Sequence, residues 1–224
     1  MANSVKTFVF MDLEATGINY QHPKITEICM VACHVSSLEN PDFDESGKPK
    51  LPRVLDKLCL CVDPTKPLAE EAAHITGLNN KMLEDNEKQE FNSHLISLVN
   101  EFLNRQAQPV CLVAHNGFFY DFPLLKTELE QQQDDISSAL PCLDTLPVFK
   151  QLDKANHDDH KKGKGYYSLS GLYRRAYGKD PIDSHYAEGD VLTLIMVFLS
   201  KANEILDHVS TYSKKWGDIP PMYS

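Results

Sequence analysis

Asp12 and Glu14 stand one residue apart at the end of an apolar run, Phe8-Val9-Phe10-Met11. Side chains of an extended strand alternate faces with a period of two. Both carboxylates therefore emerge on one side of a strand that is buried as far as Met11. Carboxylates this close repel each other, and their usual partner is a hard divalent ion with oxygen ligands. Read alone, an Asp-x-Glu pair is by default a strand fraying into a polar turn, here Thr16-Gly17. Three more residues carry matching chemistry. Asp121 falls where a helix should begin after a second apolar run, with Pro123 in its first turn, and Asp190 opens an apolar C-terminal helix five residues after His185. Each has a bland reading: Asp121 as a helix cap, Asp190 as an acid favoured by the helix dipole, His185 as a surface histidine. Strand ends and helix starts gather at one edge of an α/β sheet, where ligands bind, so the five together form a candidate divalent-ion centre. Five helical residues rotate by about 500°, which would point His185 and Asp190 roughly 140° apart. His185 must therefore precede the helix, on a loop.

The elements that would position these groups follow from periodicity. Thr7 to Met11 reads as a central strand and Ile25 to Val35 as the next. Ser36 to Pro52, polar and rich in proline, reads as a loop. Arg53 to Val62 alternates, with Leu58, Leu60 and Val62 on one face, and three antiparallel strands are the simplest opening arrangement. Leu68 to Ile75 predicts a short helix ended at Gly77. Phe91, Leu95, Leu98, Val99 and Phe102 predict an amphipathic helix. Val110 to Ala114 is a short buried strand, giving a β-α-β crossover. The helix after Asp121 carries Leu124, Leu125 and Leu129. The segment at about 153–165 is nearly devoid of apolar residues and predicts a mobile basic surface loop. Tyr167 to Tyr177 and Ala187 to Val209 predict helices. There is no internal repeat and no separating linker, so residues 1–224 are expected to form one domain.

Composition sets the class. The chain has 224 residues, 42% hydrophobic and 24% charged, as in an ordinary soluble protein with one sizeable core. Its net charge of −10 argues against a passive nucleic-acid coat, though not against an enzyme whose metals meet the phosphates. None of the six cysteines forms a C-x-x-C pair, so zinc is not expected, and most lie in apolar runs suited to reduced thiols. No secretory signal precedes Val5, and the apolar run Val191 to Leu199 is too short to cross a bilayer. The expectation is an intracellular protein, neither secreted nor membrane-anchored.

Asp12-x-Glu14, His115-Asn116-Gly117-x-x-Tyr120-Asp121-Phe122-Pro123 and His185-x-x-x-x-Asp190 resemble the three motifs of the DEDD exonuclease superfamily, in its histidine-bearing (DEDDh) branch. Within it the chain is similar to the three-prime repair exonucleases. The stretches DLEATG, SLENP, LPRVLDKL, ITGL, LVAHNG, YDFPLL, CLDTLP, YSL and AEGD carry the likeness over nearly the whole chain. In length it is like the family's short form, without a proline-rich insertion or a C-terminal membrane tail. The resemblance implies an α/β, ribonuclease-H-like (DnaQ-like exonuclease) fold: a five-stranded mixed sheet flanked by helices. It implies 3′→5′ removal of single nucleotides from DNA, and a homodimer joined through the strand at 53–62, a plausible sheet edge open to pairing. Nucleus and cytoplasm are the compartments that fit.

The chemistry expected is two-metal phosphodiester hydrolysis, with ions about 3.5–4 Å apart clamping the attacking and leaving oxygens. Mg2+ is the expected ion, two per site, with Mn2+ as a substitute. Asp12 is best placed to bridge both ions. Asp190 and Asp121 would complete the cage, Asp121 directly or through water. Glu14 would hold one metal and orient the attacking water or the 3′ hydroxyl. His185 is the candidate general base, since an ordinary pKa of about 6.5 suits proton abstraction at neutral pH. The resemblance assigns substrate contacts to Ala15 and Tyr120, and to Ile18 and Ile75 as wedges against the last bases. Tyr120, Ile18 and Ile75 each also have a reading as core residues. Lys161, Lys162 and Lys164 would give the mobile loop a point-charge hold on phosphates. Two alternatives stay open: an RNA-trimming exonuclease of the same superfamily, and a nucleic-acid-binding scaffold without turnover.

Overall fold

Apolar alternation organises the sheet. In the computed structural model, which describes residues 5–18, 22–155 and 163–223, strand β1 (Thr7–Ala15) is buried at every position except Asp12 and Glu14. Phe8 and Phe10 face one helical layer, while Val9, Met11 and Leu13 face the other. On one side β1 pairs antiparallel with β2 (Ile25–His34), which pairs antiparallel with β3 (Asp56–Cys61). On the other side it pairs parallel with β4 (Val110–Ala114), and β4 pairs parallel with β5 (Pro141–Asp144). A three-residue β6 (Ser213–Lys215) closes that edge antiparallel to β5. The order is β3-β2-β1-β4-β5-β6. The expected mixed sheet is present, with six strands among the described residues rather than five. The sixth is too short and polar to leave a sequence pattern.

The helices are α1 (Val35–Glu39), α2 (Glu70–Thr76), α3 (Asn80–Asp85), α4 (Ser93–Asn104), α5 (Asp121–Gln131), α6 (Thr145–Ala155), α7 (Leu169–Tyr177), α8 (Ala187–Leu199) and α9 (Ala202–Tyr212). Helices α4 and α5 cover the face of Val9 and Met11, and α6 to α9 cover the face of Phe8 and Phe10. Burying side chains such as Ile195, Val197 and Phe198 of α8, all fully buried, contributes about 1.5–3 kcal/mol each. That packing fixes α8 across β1.

Several sequence expectations shift. The stretch read as a loop, Ser36 to Pro52, opens with α1, capped by the His34 imidazole. Strand β3 starts at Asp56 rather than Arg53, with Leu58 and Leu60 packed inward as expected. Leu98 lies off the buried stripe of α4, and Ile96 and Leu103 are buried instead. The single helix expected from Ala187 to Val209 is two, broken at Ser200-Lys201, so that the chain turns back over α6. Helices α3 and α6 and strand β5 lie outside the periodic signals. Four cysteines are buried, but Cys59 and Cys61 are exposed on β3.

Candidate active site

Strands β1, β4 and β5 run parallel, so their C-terminal ends share one edge; β2 runs antiparallel and begins there. Asp12 and Glu14 continue the face of Phe8 and Phe10, which is the face under α8. Asp190 lies in the first turn of α8. Carboxylate oxygens of Asp12, Glu14 and Asp190 lie within 4.8 Å of one another. Asp121 enters from the other layer, at the start of α5, and stands outside that trio. It is a buried residue of the first turn, not the cap: the cap position is Tyr120.

The turn that delivers Asp121 depends on two backbone features. Asn116 has φ 62°, and a Cβ on Gly117 would lie 2.6 Å from the Ala114 Cβ and 2.8 Å from the Phe122 ring. Buried Asp144, at the end of β5, holds the same turn. It accepts hydrogen bonds from the N–H groups of Asn116, Phe118 and Leu146 at 2.9, 3.2 and 2.9 Å. His115 is half-buried between the Thr145 hydroxyl and the Tyr167 carbonyl, and loss of solvent around the ring lowers its pKa. Asp144 was missed as a site residue; the CLDTLP stretch was the available signal. Glu27, opposite Glu14 on β2, was missed too, because nothing in a strand sequence marks a partner across the ladder.

His185 precedes α8 on a loop, exposed, with φ 68°. Its N–H donates to Asp190 Oδ2 at 3.0 Å. The loop folds tightly onto the helix: a Cβ on Gly189 would lie 2.0 Å from the Asp183 carbonyl oxygen.

The electrostatics are those of a site short of positive charge. Burial, and then Asp121, Asp190 and Glu14, hold the Asp12 carboxyl well above its usual range. Burial, and then Asp190, push Glu14 from 4.5 to about 8. Burial raises Asp121 to about 7, partly offset by backbone N–H groups including that of Leu13. Burial also raises Asp190, and the His185 N–H opposes the rise. Among the described residues, no lysine or arginine is ion-paired with any of the four. An all-oxygen donor set that repels itself fits hard divalent cations.

Beside the carboxylates opens a cleft of about 460 Å³, lined by Glu14, Ala15, Ile18, Ile75, Thr76 and Tyr120. Ile18 and Ile75 are 49% and 45% exposed, so they are wall residues and not core. The Tyr120 hydroxyl donates to the Gly17 carbonyl at 2.5 Å, which fixes the ring as one wall. A cleft of similar size, about 470 Å³, lies across α8, is lined by Lys48, Tyr173 and Leu192, and holds none of the four carboxylates. Lys164 is exposed, while Lys161 and Lys162 lie outside the described residues.

The family model of exonucleases matches residues 9–198, a span that contains every carboxylate of the site. Three prime repair exonuclease 2 of Mus musculus is 47% identical over 219 residues, 97% of this chain and 93% of that protein. The chain belongs to the three-prime repair exonuclease family. Three-prime repair exonuclease 1 of Bos taurus is 42% identical, over 98% of this chain and 71% of its own length. Among solved structures, the nuclease domain of 3′hExo bound to rAMP, a DEDDh family member, superposes with a TM-score of 0.62 at 11% identity, over 91% of this chain and 95% of its own. E. coli ExoI in its zinc-bound complex with single-stranded DNA gives a TM-score of 0.64 at 14% identity, over 92% and 43%. These two show the ribonuclease-H-like fold. The family member described here is a divalent-metal-dependent 3′→5′ exonuclease with its acidic cluster in place.

Proposed function

We infer that this exonuclease acts on DNA 3′ ends, releasing nucleoside 5′-monophosphates with two Mg2+ ions per site. The observation that carries this reading is the convergence of Asp12, Glu14 and Asp190 within 4.8 Å, beside a cleft of nucleotide size. Asp12, Glu14, Asp121 and Asp190 would hold the ions. When bound, the ions neutralise the phosphodiester and stabilise charge on the attacking and leaving oxygens. The chain's own residues do the rest. His185, on its exposed loop, takes the proton of the attacking water. Glu14 stands at the junction of carboxylates and cleft, where it can orient that water or the terminal 3′ hydroxyl. Tyr120, held by Gly17, and the backbone at Ala15 position the last nucleotide. Ile18 and Ile75 wedge against its base, an apolar contact that tolerates sequence. Lys161, Lys162 and Lys164 add a salt-sensitive grip on the strand.

Support for the homodimer is that β3 is an edge strand among the described residues, so that one side of its ladder can pair with a second copy. No helix among the described residues is long and apolar enough to cross a membrane. A nuclear or cytoplasmic enzyme fits that and the DNA substrate. The test is degradation of end-labelled DNA and of matched RNA, with Mg2+ and with EDTA. Mg2+-dependent loss of mononucleotides from DNA 3′ ends is expected. Robust cleavage in EDTA, or preference for RNA, refutes the reading.

A further inference from the structure

Glu27 has no place in the carboxylate set above, yet it stands beside it. It faces Glu14 across the β1–β2 ladder, on the strand whose Cys29 and Val31 point into the layer of α8. Its Oε2 accepts a hydrogen bond from the N–H of Ala187 at 3.1 Å. Ala187 is the first residue of α8 and is fully buried. The cap residue of this helix, Tyr186, offers no side-chain hydrogen bond. A carboxylate from a strand 160 residues away therefore caps the helix instead. Free N–H groups and the positive end of the dipole favour a carboxylate there.

The same placement costs the fold something. Like charges directly opposite on neighbouring strands are destabilising, and Glu27 is opposite Glu14. Burial raises the Glu27 carboxyl above its usual range, and the Ala187 N–H offsets only part of the rise. A β-branched residue would suit the strand better. What the carboxylate gains is control of α8. Ala187 sits between the two groups that the reaction needs: His185, two residues before it, and Asp190, three after. His185 N–H is tied to Asp190 Oδ2, and Asp183 is folded against Gly189, so residues 183–190 form one hook. The Lys57–Glu188 pair also joins this hook to the sheet, at 2.7 Å, but both side chains are more than 40% exposed and contribute little.

We propose that Glu27 is a positioning residue of the reaction: its carboxylate fixes the first turn of α8 and so sets where Asp190 and His185 stand relative to Asp12 and Glu14. The proposal rests on the exonuclease reading of this site. Its test separates reach from charge in the full chain. Glu27→Gln keeps an acceptor oxygen at the same distance, whereas Glu27→Asp keeps the charge but is one methylene too short. Steady-state cleavage of a DNA oligonucleotide at saturating Mg2+ gives kcat and KM. Amide hydrogen exchange over residues 183–192 reads the hook directly. Glu27→Asp and Glu27→Ala should lower kcat tenfold or more with KM changed less than threefold, and should speed exchange in that segment. Glu27→Gln should keep kcat within about threefold of the parent, with parental exchange. If the Ala variant does not fold, the Asp and Gln pair still decides. Parental activity in Glu27→Asp beside an impaired Glu27→Gln would show that charge, not reach, is what matters, and would overturn the proposal. Parental kcat in all the variants would also overturn it. A parent chain that leaves DNA intact would refute the functional reading, while the exchange measurement would still report on the clamp.

Discussion

Replacing Glu14 with glutamine should stabilise the metal-free protein while it destroys the enzyme. The Glu14 carboxyl stands at about 8 in the fold against 4.5 for an ordinary glutamate, first because it is buried and then because Asp190 is nearby. Below pH 4.5 the group is protonated in both folded and unfolded chains and has no effect. Above it, the unfolded chain releases the proton before the fold does, so stability falls with rising pH until about 8. The slope is about 1.4 kcal/mol per pH unit, or on the order of 3 kcal/mol by pH 7. Water in the adjoining cleft screens part of this, leaving roughly 2 kcal/mol. For a chain of this size that is a rise of about 4–8 °C in Tm. Glu14→Gln removes the charge and nearly keeps the shape. The assay is thermal unfolding of parent and variant in EDTA at pH 5.5 and pH 8. The variant should unfold later at pH 8, with a much smaller gap at pH 5.5. Adding Mg2+ should raise the parent's Tm more than the variant's, because ion binding to the native state is linked to stability. A gap at pH 8 no larger than that at pH 5.5 would refute the electrostatic account of the site.

Asp12→Ala or Asp190→Ala should abolish turnover and remove most of the Mg2+-dependent rise in Tm, checked by the cleavage assay and by thermal melts; Ca2+ should bind the parent yet support little cleavage, since its looser geometry misplaces the reacting groups. Asp144→Ala should destabilise the fold by about 1–3 kcal/mol in denaturant titrations, because it leaves three part-buried backbone N–H groups, two in the Asn116 turn and one in the first turn of α6, without their acceptor. Light scattering at micromolar concentration should give a particle near twice 25.3 kDa, and a clean monomer would contradict pairing through β3. Replacing Lys161, Lys162 and Lys164 with alanine should weaken DNA binding and flatten its salt dependence, with single-turnover cleavage at saturating DNA unchanged; parental affinity at low salt would remove the loop from the binding surface.

The chemistry of this protein was written in local sequence. Alternation placed Asp12 and Glu14 on one face of a strand, and helical rotation put His185 on a loop before α8, where it is found. Gly77 marked the end of α2 through its left-handed φ of 71°. Such features depend only on neighbours a few residues away. Other decisions required the folded chain. Ile18 and Ile75 could be core or wall from their apolar type alone, and the fold leaves both half exposed on a cleft lined by α2 and the end of β1. The long helix read from continuous apolar residues broke at Ser200, because α9 must fold back over α6 rather than continue past the sheet. Asp144 became the anchor of the Asn116 turn only when β5 paired with β4, and Glu27 met α8 only across 160 residues of chain. A side chain's type states which hydrogen bonds it can make. Which partner it meets is settled when distant strands and layers pack, because alternation fixes a strand's face but no local stretch contains the residue it will meet across 160 positions.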